Sequence, residues 1–71
     1  MGKRPPISNR VRELREAHGD MTQVALGKAI GVTRQTVIAI EQGRYSPSLE
    51  SAFRIAQLFG VGLEEVFQWN G

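Results

Sequence analysis

Apolar positions in residues 23–43 recur at helical spacing, in two short runs separated by a glycine. Leu26 and Ile30 stand four apart and so share one helix face, and Gly31 follows where a helix commonly ends in a left-handed residue. Val32 and Thr33 supply a turn and an N-cap. Val37 and Ile40, three apart, then form the inward face of a second helix that Gly43 closes. At about 100° per residue, Gln35, Ile38 and Ala39 fall on the opposite side, flanked by Arg34 and Thr36. The second helix therefore offers a face of Gln, Thr, Arg and small apolar groups.

The same reading places three more helices. Ser8 or Asn9 can cap a first one that runs to about Ala17 or His18, with Val11 and Leu14 on one face and Gly19 past its end. Arg44–Pro47 is a loop, and Ser48 caps a helix over Leu49–Phe59. That helix holds Leu49, Ala52, Phe53, Ile55, Ala56, Leu58 and Phe59, more than one core-facing stripe needs. Leu49, Ala52, Ala56 and Phe59 are expected to pack inward, with part of Leu58 or Ile55 left over. Gly60 ends it, and a short helix begins at Gly62 with Glu64 and Glu65 near its positive dipole end. The expected architecture is all-α with five helices. Pro5 and Pro6 disfavour regular structure, so residues 1–7 read as a flexible basic arm carrying Lys3 and Arg4, and residues 8–69 as the folded domain.

Two short helices joined by a three- or four-residue turn containing glycine make a helix-turn-helix, whose second helix docks in the major groove of DNA. Charge agrees with that use. Residues 1–44 hold eight Lys/Arg against four Asp/Glu, and residues 45–71 one against three. With an isoelectric point near 9.7, this is the asymmetry of a phosphate-facing side opposite an acidic back. At 71 residues a single core yields only a few kcal/mol of stability, so pairing of chains is expected. Without cysteine, and with one histidine, there is no basis for a disulfide framework, a zinc site or a nucleophile–base pair. The chain reads as a non-enzyme that needs no cofactor and no metal. No signal-peptide core or long apolar run is present, which implies a cytoplasmic protein with no membrane partner.

From Met21 to Gly43 the order M-T-Q-x-x-L-x-x-x-x-G-V-T-R-Q-T-V-x-x-I-E-Q-G, continued by Pro47–Glu50, resembles the lambda-repressor-like (Cro/repressor, XRE) family of transcriptional regulators. With Arg10–Glu16 and Val61–Phe67 the resemblance spans roughly residues 8 to 67. It implies a sequence-specific double-stranded DNA-binding regulator, expected to be a repressor acting as a homodimer on a palindromic operator. Gln23 and Thr33 would then bind phosphates, Arg34, Gln35, Thr36 and Ala39 would face the bases, and Arg44 would grip the backbone beyond the second helix. The Leu14-Arg15-Glu16 match implies an ion pair between Arg15 and Glu41. Antitoxins, restriction-controller proteins and coactivator-like adaptors resemble the same family, so a protein-interaction role with a partner yet unknown is the alternative.

The chain departs from the family pattern at three places. Gly19-Asp20-Met21-Thr22 is one residue longer than usual, which should leave Met21 as an apolar plug and bulge Asp20 outward. Ala25 cannot complete the capping box that a glutamate there would make with Thr22. Gly27 stands where alanine is usual, at the closest approach of the two helices, at a cost of about 1 kcal/mol in helix propensity. Apolar surface with nowhere to go collects at the C-terminal end, where Phe67, Trp69 and part of Leu58 are expected to form the dimer interface.

Overall fold

Side-chain caps set most of the helix starts in the computed structural model, which describes residues 6–71. The elements are α1 (Val11–Ala17), α2 (Gln23–Ile30), α3 (Arg34–Glu41), α4 (Leu49–Phe59) and α5 (Leu63–Val66), between two strands, β1 (Ile7–Asn9) and β2 (Phe67–Trp69). Thr22 Oγ1 accepts from the Ala25 N–H at 3.0 Å, Thr33 Oγ1 from Thr36 at 3.2 Å and Ser48 Oγ from Ser51 at 3.1 Å. Each satisfies an orphan donor of the first turn and fixes where the helix begins. Glu65 reaches back to the Gly62 N–H at 2.7 Å and starts α5 in the same way.

The start of α1 differs from the expectation. Arg10 holds the cap position without a side-chain cap bond, and Asn9 one residue earlier accepts the Val11 N–H at 3.0 Å. Ser8 is drawn elsewhere, donating to Gln68 Oε1 at 3.3 Å across a strand pair that periodicity did not reveal. β1 and β2 run antiparallel with Ile7 opposite Trp69, Ser8 opposite Gln68 and Asn9 opposite Phe67. Three residues on each side are too few to show an alternation. Their pairing joins the two ends of the chain, a long-range event outside any local window. Ile7 thus belongs to the folded domain, while residues 1–5, most of the expected basic arm, lie outside the described residues.

Val11, Leu26, Ile30, Val37, Ile40, Ile55, Ala56 and Val66 form one buried cluster to which all five helices contribute. Leu14, Met21, Leu58, Phe59, Leu63 and Phe67 pack partly buried around it. The long turn before α2 takes the expected form: Gly19 and Asp20 have φ of +67° and +54°, Asp20 is exposed, and Met21 packs on the core. Asp tolerates the left-handed region better than most residues, so the extra residue is accommodated within the turn.

Helix α4 is rotated relative to the expectation. Ile55 is fully buried and Leu49 is 68% exposed. Ala52, Ile55 and Ala56 lie at i, i+3 and i+4 and make the inward stripe. Leu49 continues that stripe in the first turn but lines an open groove with Leu63 and Phe67 instead of joining the buried cluster. Phe53, one turn further along, is 50% exposed.

Candidate nucleic-acid interface

Close approach of α2 and α3 is made possible by two glycines. Gly31 caps α2 at φ +80°, a conformation that other residues rarely take, and turns the chain into α3. A Cβ on Gly27 would stand 2.7 Å from the Val32 carbonyl oxygen, so in this chain the turn lies closer on α2 than a side chain there would allow. With α2 held in this way and Val37 and Ile40 buried, α3 has its opposite face turned to solvent.

On that face Arg34 and Gln35 are exposed, and Thr36, Ile38 and Ala39 are half-buried. Thr33 is occupied locally: besides capping α3, its hydroxyl lies 3.1 Å from that of Thr36. Arg44 is exposed beyond the helix, its backbone N–H donating to the Ala39 carbonyl at 3.0 Å and its Nε to Gln42 Oε1 at 2.8 Å. That bond bends the guanidinium stem beside the helix end. The sequence-expected base-facing residues thus share one surface, with Arg44 at its border.

Beside α3 opens a cleft of about 550 Å³ lined by residues that include Arg12, Gln23, Arg34 and Ile38. Arg15 and Glu41 also line it and form an ion pair, with side chains 11% and 5% exposed. The guanidinium meets both carboxylate oxygens, Nε to Oε2 at 2.6 Å and Nη2 to Oε1 at 3.2 Å, and Nη1 donates to the Met21 carbonyl at 2.8 Å. Beside Glu41 the Arg15 guanidinium is held above its ordinary pKa, chiefly by the hydrogen bond to the carboxylate. The Gln23 amide donates to Glu41 Oε1 at 3.1 Å. One carboxylate therefore ties together α1, the start of α2 and the end of α3, and it fixes the orientation of Gln23 at the cleft.

Two contributors escaped the sequence reading. Arg12 lies on the cleft and bonds Glu16 at 3.1 Å; its spacing of three from Arg15, which puts both on one face of α1, was the available signal. Asn9 had no such signal. Its Nδ2 donates to the Ile40 carbonyl at 2.8 Å while Oδ1 accepts from Val11, so one side chain joins the strand pair to the C-terminal turn of α3. Of the residues expected at a chain–chain contact, Leu58 and Phe67 are half-buried and pack on the core, whereas Trp69 is 71% exposed.

The cleft and the face of α3 present guanidinium and amide donors with hydroxyl acceptors, chemistry suited to phosphates and base edges. Among the described residues no group of three His, Cys, Asp or Glu could hold a metal ion, and no helix is long and apolar enough to cross a membrane.

Comparison with known proteins agrees with this geometry. A family model described as helix-turn-helix matches residues 11–66. A protein of Methanocaldococcus jannaschii described as an uncharacterised HTH-type transcriptional regulator is 49% identical over 61 residues, covering 86% of this chain and 91% of that protein. The cryptic phage CTXphi transcriptional repressor RstR of Vibrio cholerae is 36% identical over 60 residues, 84% of this chain and 53% of that protein. Among solved structures, the restriction-modification controller protein C.AhdI of Aeromonas hydrophila superimposes with a TM-score of 0.69 at 32% identity, over 79% of this chain and 80% of that one.

Proposed function

The chain belongs to the Cro/C1-type (XRE) helix-turn-helix family of transcriptional regulators, and we propose that it represses transcription by binding a palindromic operator as a homodimer. It is a DNA-binding regulator and not an enzyme. The observation that carries the proposal is the division of α3 into a buried Val37–Ile40 side and an exposed side bearing Arg34 and Gln35. In this reading α3 enters the major groove, Gln35 bonds a base edge bidentately, and Arg34, Thr36 and Ala39 contact neighbouring bases. Gln23, held by Glu41, and Thr33 approach phosphates at the two helix starts, and Arg44 closes on the backbone beyond. Lys3 and Arg4 add backbone charge from the arm, and the protein works in the cytoplasm.

Two chains related by a two-fold axis would read two half-sites, the arrangement that matches palindromic DNA. Trp69, 71% exposed, supports pairing through the expected interface of Phe67, Trp69 and Leu58. In this reading repression follows from occupancy of the operator. RstR, a repressor by description, supports that sense.

Selection of bound duplexes from a random pool, followed by anisotropy titration of the winner, tests the proposal. Recovery of an inverted repeat bound by two chains is expected. An unrelated set of sequences bound no better than mixed duplex would overturn it. Similarity to C.AhdI favours one second reading, a restriction-modification controller.

A further inference from the structure

We infer that an apolar groove beside the strand pair is the seat for Trp69 of a second copy of this chain, so that two copies exchange tryptophans across their two-fold axis. The inference rests on the homodimer reading and makes its contact specific. The groove has a volume of about 310 Å³ and is lined by Ile7, Pro47, Leu49, Ala52, Leu63 and Phe67, with Ser46 at the loop. Its size lies at the small end of cavities that hold organic ligands, enough for an indole.

The knob and the hole lie on one face of one chain. Side chains two apart along a strand point the same way, so Phe67 and Trp69 share a face of β2, and the register puts Ile7 beside Trp69 on it. Phe67 and Ile7 are half-buried and line the groove, whereas Trp69 runs past the edge of the core and is 71% exposed. Trp69 is not among the residues lining the groove; its indole lies against Gly71, and the ladder continues beyond it through the Asn70 N–H to the Pro6 carbonyl at 2.7 Å. A patch carrying both complementary parts closes on a copy of itself, while a knob remote from its hole would build open chains.

Leu49 and Phe53, 68% and 50% exposed, extend the apolar surface along α4, and Tyr45 at 51% extends it into the loop. Together with Trp69 they leave about 400 Å² of apolar side chain exposed, roughly half of the ~800 Å² that each partner of a standard interface buries. Because the loop from Arg44 to Ser48 joins α3 directly to this groove, pairing here also sets the separation of the two α3 helices, and with it the half-site spacing.

Trp69 is the only tryptophan in the sequence, so its emission reports the seat without a label. Sedimentation and tryptophan emission are followed together on dilution from micromolar to nanomolar for wild type, Leu49→Glu and the remote surface variant Val24→Glu, and sedimentation alone for Trp69→Ala. Wild type is expected to emit at short wavelength as a dimer and to shift to longer wavelength as it dissociates. Leu49→Glu and Trp69→Ala are expected to raise the dissociation constant at least about tenfold. Leu49→Glu should also emit as exposed indole throughout and keep the wild-type far-UV circular dichroism, since Leu49 already faces solvent; Val24→Glu should pair as wild type. A dimeric wild type with exposed-indole emission, or a Leu49→Glu variant that pairs as wild type does, overturns the groove while leaving the homodimer reading standing. A wild type that stays monomeric with and without operator overturns both. Short-wavelength emission unchanged by dilution in a monomer would mean the chain covers its own tryptophan and would overturn the exchange.

Discussion

Arg15 and Glu41 meet through two hydrogen bonds, at 2.6 and 3.2 Å, in a position where the side chains keep 11% and 5% of their exposure. A buried pair of this kind is costly to break and cheap to replace whole. Removing one partner leaves an uncompensated charge, so Glu41→Ala is expected to lose about 3–5 kcal/mol, enough to unfold much of so small a domain. The double variant Arg15→Met with Glu41→Leu should recover most of that loss, because well-packed apolar groups escape the desolvation cost. Chemical denaturation of the two singles and the double measures the coupling; a Glu41→Ala protein melting within a degree or two of wild type would show that the pair does not hold the helices.

Base recognition and backbone grip separate by mutation. Gln35→Ala is expected to cost about 1–3 kcal/mol at one base position and to flatten the preference there. Arg44→Ala should weaken all duplexes alike. Titrating both variants against the operator and its single-base changes checks this, and equal, sequence-independent losses would mean α3 is not the reading element.

Salt dependence counts the phosphates engaged. If Lys28, Arg34, Arg44 and the arm's Lys3 and Arg4 neutralise roughly four to five phosphates per half-site, affinity should fall several orders of magnitude between ~50 and ~200 mM salt. Arg12→Ala, on the rim of the cleft, should lower the slope by about one per half-site, about two for the operator-bound dimer, if its guanidinium leaves Glu16 for DNA. Anisotropy titrations across a salt series measure both quantities, and a flat profile for wild type would remove the electrostatic reading.

Gly27 is expected to resist enlargement. Alanine would gain about 1 kcal/mol of helix propensity but bring its Cβ to 2.7 Å from the backbone oxygen of Val32, which cannot swing aside as a side chain would. Gly27→Ala should therefore lower the melting temperature, and Gly27→Val lower it further, since its branched side chain adds a propensity loss to the clash. A Gly27→Ala protein more stable than wild type would mean that the turn yields freely and that glycine here is unconstrained.

Much of what depends on neighbours within about four residues was legible. Thr22, Thr33 and Ser48 name their own helix starts because a hydroxyl at the cap serves an N–H three residues on. Leu26, Ile30, Val37 and Ile40 name the inward faces of α2 and α3, and the outward face of α3 follows by rotation. The exposure of Arg34 and Gln35 on α3 follows from that rotation, whereas the Arg15–Glu41 pair spans 26 residues and was implied only by the family resemblance.

Tertiary structure alone decided what happens between segments far apart in the chain. Ile7 opposite Trp69 and Asn9 on Ile40 are separated by 62 and 31 residues, and neither strand carries enough alternation to declare itself. Whether Ile55 or Leu49 faces inward depends on where the core ends beneath α4, a property of the assembled helices rather than of α4 itself. Gln23 turned out to be tethered by Glu41, and a groove formed beside Trp69, because helix ends and strand ends converge only once the buried cluster has set the distances between them. Helical periodicity repeats in the sequence and can be read there; the space between elements is made by packing and has no local signature.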